Sequence, residues 1–167
     1  MLELKDIPDA KILKKFADRY DELDSKLVIQ FLSILRIGTD LTEVLNSFLY
    51  KHDLLQGRWW VLILLMREDD LTSTPSELAM KAGVSKPTMN GLINRLLKDG
   101  LISRIQCDID KRSYMVKLSS LGQSKLDEVM PDYYLRVNKL MTTISNVDRE
   151  QLLEHLLLLK KNSHVFE

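Results

Sequence analysis

The sequence predicts a mainly α-helical fold with a small β-wing, in which a winged helix-turn-helix domain lies between helices at both ends of the chain. Three observations lead to this prediction. Apolar residues recur at helical spacing over most of the 167 residues. A glycine, Gly83, separates two short helical segments near the middle of the chain. The apolar pattern then changes to a period of two around a charged tip, which indicates a β-hairpin.

Three helices are expected before the helix-turn-helix. The first, from about Pro8 to Tyr20, is short and amphipathic. The second, from about Ser25 to His52, carries an apolar stripe suited to packing against other helices. The third, from Leu54 to Glu68, is apolar on nearly every side, so we expect it to be buried. The stripe on the second helix comprises Leu27, Phe31, Ile34, Leu41, Leu45 and Phe48.

The two helices of the motif are marked by residues that cap helices. Thr74 and Glu77 can form a capping box at the start of the first helix, which should end by Gly83. Ser85 can cap the second helix, which should run to Asp99. A helix, a turn that contains glycine and a second helix follow one another in the order that the motif requires.

The predicted wing is a hairpin with strands from Arg104 to Ile109 and from Ser113 to Leu118, and with a tip at residues 110–112. In the first strand, Ile105 and Cys107 belong to the alternating set that we expect to point inward. A lone cysteine that points inward has a structural role more often than a redox role.

Two further helices complete the chain. Helical spacing returns from Ser119 to about Ile144, and Pro131 is expected to kink or break that helix because proline lacks a backbone N–H. The last helix covers about Val147 to Lys161 and is rich in leucine.

The charges of the chain are unevenly distributed, although its formal net charge is zero. Residues 81–112 contain seven Lys and Arg side chains against three Asp, a net charge of +4, so the remainder carries −4. Because binding to phosphates requires clustered cations, the helix-turn-helix and the wing form the part of the chain suited to a nucleic acid.

The second helix of the motif has two chemically different faces. On a helical wheel, Leu92, Ile93, Leu96 and Leu97 lie within about 80° of Met89, which should hold the helix on the domain. Amide, hydroxyl and cationic groups on the other side can bond base edges and phosphates. A solvated surface helix would also be polar outside, and the adjacent turn and wing favour DNA. The polar side comprises Pro87, Thr88, Asn90, Gly91, Asn94, Arg95 and Lys98.

The tip of the wing, formed by Asp110, Lys111 and Arg112, is the second candidate for DNA contact. An arginine on a two-stranded arm can enter the minor groove, where the negative potential is enhanced. Asp110 can orient the guanidinium of Arg112 through a charge-assisted hydrogen bond.

The run VSKPTMNGLINRLLKDGLISRIQCDIDKRSYMVKLSSLG, residues 84–122, resembles the MarR family of bacterial regulators. The likeness lies in the recognition helix, the Gly-Leu-Ile that follows it, the Asp-Lys-Arg of the wing and the later Leu-Ser-x-x-Gly. It implies a homodimer in which the N- and C-terminal helices, residues 1–52 and 119–167, are dimerisation helices around a winged core at residues 54–118. Two such cores would contact adjacent major grooves of a pseudo-palindromic operator in double-stranded DNA.

The resemblance also assigns roles to particular residues. Asp110 and Arg112 match the wing pair of the family, and five residues match its DNA-reading helix. Gly91 departs from the family, where many members carry a larger polar or basic residue, so base preference is not transferred. The expected function is sequence-specific transcription regulation, as a repressor modulated by a small-molecule effector. The five helix residues are Ser85, Lys86, Thr88, Asn90 and Arg95.

A candidate effector pocket follows from residues near the start of the third helix. Arg58, Trp59 and Trp60, with His52 nearby, can supply a cation and aromatic walls for a small aromatic anion. The alternative is that the tryptophans belong to the core and that Arg58 is solvated.

The alternatives to DNA-dependent regulation are protein interaction, a response to redox state or to a metal, and enzyme activity. A winged domain can bind proteins without binding DNA, and a redox-responsive or metal-responsive regulator would use Cys107 or the histidines. The three histidines lack the close spacing of metal ligands, and the chain has no G-x-S-x-G, H-E-x-x-H or phosphate-binding glycine loop. We therefore expect no enzyme activity, cofactor or metal, and a cytoplasmic protein without a membrane span.

Overall fold

A computed structural model describes residues 8–21, 23–106 and 114–167 of the chain. The chain divides into two compact units, of which one ends at Trp60 and the other begins at Val61. The helices are α1 (Ala10–Ala17), α2 (Ser25–Tyr50), α3 (Gln56–Met66), α4 (Pro75–Ala82), α5 (Lys86–Lys98), α6 (Ser120–Met141) and α7 (Asn146–Lys161), with a short 3-10 helix at Ser163–Phe166. The strands are β1 (Thr72–Ser73), β2 (Ile102–Gln106) and β3 (Tyr114–Leu118).

The order of these elements confirms the predicted fold class, which is mainly helical with a small antiparallel sheet. All seven predicted helices are present, with ends within a few residues of the expected ones. The division of roles among residues 1–52, 54–118 and 119–167 in one domain stays a prediction.

The helix-turn-helix begins and ends through the predicted caps. The side-chain oxygen of Thr74 accepts a hydrogen bond from the backbone N–H of Glu77 at 3.2 Å, and the Glu77 carboxylate accepts one from the backbone N–H of Thr74 at 3.1 Å. Gly83 then ends α4 with φ at 64°, a left-handed conformation that glycine adopts without steric cost. Ser85 caps α5 by accepting from the backbone N–H of Thr88.

The core of the second unit is built from α4, α5, α6 and the sheet. Its side chains are apolar and almost completely removed from solvent, and burial of one such side chain stabilises the fold by about 1.5–3 kcal/mol. The residues at this core include Leu78, Met89, Ile93, Leu96, Val116 and Leu126. In the first unit, α1 packs against α2.

The sheet contains a strand that the sequence did not predict. β1 is only two residues long and pairs antiparallel with β3, which lies in the middle of the order β1-β3-β2. Asp70 stabilises the turn before β1 because its carboxylate accepts hydrogen bonds from the side chain and the backbone N–H of Thr72. These bonds lower the pKa of Asp70. Two residues are too few to show a period, so only the pairing with β3 defines the strand.

The expectation that Ile105 points inward is wrong. Ile105 is 40% exposed, whereas the buried residue of this strand is Ile102. Because side chains alternate along a strand, Ile105 lies on the opposite face from Ile102. The register is set by pairing with β3, where Ile102 lies opposite Leu118 and Ile105 opposite Met115. Cys107, which was grouped with Ile105, lies outside the described residues.

Of the kink or break expected at Pro131, the break is wrong, because α6 runs without interruption from Ser120 to Met141. The kink stays a prediction. Proline removes the hydrogen bond that its own N–H would have donated and crowds the carbonyl four residues earlier, but the bonds on either side can maintain a helix of this length.

Candidate nucleic-acid interface

The second helix of the motif, α5, has the two faces that its sequence predicts. Met89, Ile93 and Leu96 are fully buried, and Leu92 and Leu97 are half-buried. Every residue of the predicted DNA-reading set is exposed, so α5 presents a largely polar surface to solvent. The exposed set comprises Ser85, Lys86, Pro87, Thr88, Asn90, Gly91, Asn94, Arg95 and Lys98.

The N-terminus of α5 is fixed by two hydroxyl groups. The Ser85 and Thr88 side-chain oxygens lie 2.8 Å apart, and Ser85 also accepts from the backbone N–H of Thr88 at 3.3 Å. The positive end of the helix dipole lies here, beside the exposed cation of Lys86. A helix N-terminus with an adjacent lysine is suited to contact with a phosphate.

The positive charges of α5 are available for such contacts. Among the described residues, Lys86, Arg95 and Lys98 form no salt bridge, and all three are exposed. Their charges are therefore not neutralised by carboxylates of the described chain, as an interface with phosphates requires.

Gly91 leaves an open position in the middle of this surface. A Cβ atom added at Gly91 would have no atom within 4 Å. No packing constraint within the described residues therefore calls for glycine here, although its small size lets the helix backbone approach a neighbouring molecule closely.

Sequence analysis missed one residue of this surface, Arg104 of β2. Its Nη2 donates a hydrogen bond to Oδ1 of Asn94 at 3.0 Å, and its guanidinium lies over the ring of Tyr114 at 4.5 Å from the centroid. The sequence predicts Arg104 as one of the cations of residues 81–112 and as the start of a strand, but nothing local indicates its contact with a residue ten positions earlier. The signal is the register, in which Arg104 pairs with Val116 and so shares a face with Tyr114.

The predicted wing tip, Asp110, Lys111 and Arg112, lies outside the described residues. The two strands that lead to it are described, and their last pair is Gln106 with Tyr114. The roles of the three tip residues stay predictions.

The four residues of the predicted effector pocket lie in different environments. Trp59 is completely buried, whereas Trp60 is 43% exposed, and the two ring centroids are 4.8 Å apart. Arg58 donates from Nη2 to the backbone oxygen of Asp53 at 3.0 Å, and the His52 ring lies edge-on to Phe48 at 5.1 Å. Trp59 thus belongs to the core, and Trp60 is the aromatic surface that a ligand can reach.

An apolar groove of about 490 Å³ lies elsewhere in the first unit, along α1 and the start of α2. None of the four predicted pocket residues lines it. Its lining residues are Pro8, Leu13, Phe16, Tyr20, Leu23 and Val28.

Within the described ranges, no group of three or more His, Cys, Asp or Glu side chains is arranged to hold a metal ion. A search of the same ranges finds no helix with the length and apolar character needed to cross a membrane.

Comparison with known proteins finds a family that is similar to this chain. The sequence profile of the MarR family matches residues 55–114, which include α3, α4, α5 and β2. Over these residues the chain is similar to the MarR family. The match covers the helix-turn-helix on which the exposed surface of α5 lies.

One curated relative is similar to this chain over nearly its whole length. The HTH-type transcriptional repressor YetL of Bacillus subtilis is 28% identical over 155 residues, which are 93% of each chain. Among solved structures, AbsC, a MarR family transcriptional regulator from Streptomyces coelicolor, has a TM-score of 0.76 at 20% identity and covers 85% of this chain and 97% of its own. Sco3205 from the same organism, solved in complex with DNA, has a TM-score of 0.75 at 20% identity, with 83% and 92% covered.

Proposed function

We propose that this chain is a member of the MarR family and a sequence-specific regulator of transcription that binds double-stranded DNA and acts as a repressor. The observation that carries the proposal is the exposed polar and cationic face of α5, opposite an apolar stripe in which Met89, Ile93 and Leu96 are fully buried. A rigid helix with amide and cationic groups on its outer face fits the major groove, where base edges can be read. The relative YetL is named a repressor, and Sco3205 was solved with DNA.

The DNA-contacting surface in this proposal has two parts. The α5 face reads bases and anchors phosphates, and the wing residues Asp110, Lys111 and Arg112 extend to the minor groove. Both functions are binding functions without a chemical step, so we propose that the chain is not an enzyme and needs no cofactor. It acts in the cytoplasm, where bacterial DNA lies.

We also propose that the functional form is a homodimer. Of the described residues of α7, none is buried in the single chain, and its leucines are between 37% and 63% exposed. Leu27, Phe31 and Leu41 of the predicted stripe on α2 are also exposed. Large exposed apolar surfaces mark interaction sites, and a second copy of the chain would cover them. A twofold dimer would read an operator with matching pseudo-palindromic halves.

For the effector, we propose a small aromatic anion that binds at Trp60 and Arg58. The exposed indole ring of Trp60 provides a flat surface for an aromatic ring, and Arg58, two positions earlier in α3, provides a positive charge for an anion. Benzoate serves as a probe, with tryptophan fluorescence as the signal. Quenching that saturates in the parent and is lost in Trp60→Leu supports the site, whereas equal quenching in both proteins contradicts it.

Selection of bound fragments from bacterial genomic DNA followed by fluorescence anisotropy tests the proposed function. The selected duplex should bind more tightly than a scrambled duplex, typically by about a thousandfold or more. Affinity for both should fall steeply with salt, because bound cations release counterions from the phosphates. A protein-interaction module would show neither the selectivity nor the salt dependence, and that result would overturn the proposal.

A matched pair of variants assigns the binding to α5. Lys98→Gln removes one exposed cation of the candidate surface. The fall of log affinity with log salt should then be less steep, with a slope smaller in magnitude by about 0.9. Lys160→Gln removes one exposed cation near the end of α7 and should leave the slope unchanged. Equal slopes for both variants would place the DNA elsewhere on the chain.

A further inference from the structure

The hydrogen bond between Arg104 and Asn94 joins the wing sheet to the exposed face of α5. Asn94 accepts it through Oδ1 at 3.0 Å. Arg104 cannot accept hydrogen bonds, since a guanidinium has only donors. The contact therefore determines which end of the Asn94 amide faces β2, namely the carbonyl oxygen, and leaves the NH2 group on the side away from Arg104.

Arg104 is itself held in place from a second direction. Its guanidinium lies over the Tyr114 ring at 4.5 Å from the centroid, within the range of a cation–π interaction. Arg104 and Tyr114 are diagonal neighbours on one face of the antiparallel pair, where a long side chain reaches an aromatic ring. With a hydrogen bond on one side and a ring on the other, the guanidinium has little freedom to release Asn94.

The fixed orientation of the amide has a consequence for base readout. An asparagine that recognises adenine uses both ends of its amide, since the oxygen accepts from N6 and the NH2 donates to N7. In Asn94 one lone pair of the oxygen already accepts from Arg104, and this charge-assisted bond holds the oxygen toward β2 and away from the N6 amine of an adenine. The remaining NH2 group can only donate. Guanine offers two acceptors, O6 and N7, at the edge of the major groove.

We propose that Arg104 is a specificity-determining residue, which fixes Asn94 as a hydrogen-bond donor to guanine and disfavours adenine at the contacted position. This inference rests on the proposed function, since it concerns the base preference of a chain that binds DNA. Arg104 acts through Asn94, and the readout that isolates its role is the identity of the preferred base.

The test compares the base preferences of four proteins by selection from a randomised duplex. They are the parent, Asn94→Ala, Arg104→Met and Lys98→Met. The position at which Asn94→Ala loses its preference is the position that Asn94 contacts. There, the parent should prefer guanine over adenine by about tenfold, and Arg104→Met should reduce that ratio by a similar factor because its Asn94 amide can turn over.

Lys98→Met is the matched control, since it removes one exposed cation from the same helix without contact to Asn94. It should weaken binding to all sequences equally and keep the guanine preference.

The outcomes separate this inference from the proposed function. If Arg104→Met binds DNA with the base preference of the parent, or if the parent prefers adenine at that position, the role of Arg104 is refuted and DNA binding stands. If the parent binds no duplex selectively, the proposed function itself fails. Because Arg104 is exposed, Arg104→Met should not unfold the domain. Arg104→Gln is a second variant, in which an uncharged donor replaces the guanidinium. If the orientation of the Asn94 amide determines the preferred base, Arg104→Gln should retain part of the guanine preference.

Discussion

Replacement of Gly122 by alanine should destabilise the winged domain, whereas replacement of Gly91 by alanine should not. Gly122 lies in the first turn of α6, where its N–H donates to the Ser119 side chain at 3.0 Å. An added Cβ would lie 2.1 Å from the backbone oxygen of Leu101 and 2.8 Å from Cδ1 of Leu118. Ordinary contact begins at 3.4 Å, so the Leu101 carbonyl would have to move by about 1.3 Å.

The expected cost follows from this displacement. Overpacking typically costs about 1–3 kcal/mol, and the Leu101 oxygen would also lose the hydrogen bond that it accepts from the backbone N–H of Ser119, which adds about 1 kcal/mol. Because alanine has a higher helix propensity than glycine, up to about 1 kcal/mol of this destabilisation is offset. The net loss is about 1–4 kcal/mol, which lowers Tm by roughly 2–16 °C in a chain of this size.

Thermal and urea denaturation of the parent, Gly122→Ala and Gly91→Ala measure this effect. Gly91→Ala is the matched control, because a Cβ at Gly91 meets no atom within 4 Å and should stabilise α5 by about 0.5–1 kcal/mol. A Tm of Gly122→Ala equal to or above that of the parent would refute the argument that backbone contact requires glycine at this position.

Three further predictions concern other parts of the chain. The pKa of Glu77 is lowered by hydrogen bonds from the Thr74 backbone and then from the Thr74 and Ser73 side chains. The stability that this carboxylate contributes is therefore present above pH 4.5 and is lost in acid. When the pH is lowered from neutral to below 4.5, the Tm of Glu77→Gln should therefore fall less than the Tm of the parent. Parallel curves of Tm against pH for the two proteins would disprove this. Arg112→Ala should weaken operator binding and leave Tm unchanged, as measured by anisotropy and calorimetry; unaltered affinity would remove the wing from the proposal. The double substitution of Leu153 and Leu157 by glutamate should weaken the proposed dimer at least about a hundredfold in sedimentation equilibrium, because charges replace exposed leucines that the dimer would bury; an undiminished dimer would exclude α7 from the interface.

The candidate surface on α5 could be predicted because its signals are local. Caps such as Ser85 act on N–H groups within the next turn, and the separation of Met89 and Ile93 from Asn90 and Asn94 follows from 3.6 residues per turn. Neither signal depends on what the helix packs against. For the same reason the predicted caps of α4 agree with the structure.

Predictions failed where an element had no period of its own or where its outcome depended on a distant partner. β1 exists only because Thr72 and Ser73 pair with β3, more than forty residues later. The exposure of Ile105 follows from strand register, and a shift of one residue would have reversed it. The unbroken helix at Pro131 reflects the cooperation of hydrogen bonds on either side of a single missing donor.

The sequence by itself determined the kind of protein, because helical spacing, caps and the change to a period of two are properties of neighbouring residues. It also determined which face of α5 is polar. Only the tertiary structure decided that Arg104 holds the Asn94 oxygen and that the Leu101 carbonyl leaves no room for a side chain at Gly122. Both are contacts between elements whose positions depend on the packing of the core and the register of the sheet, and no short stretch of sequence encodes them.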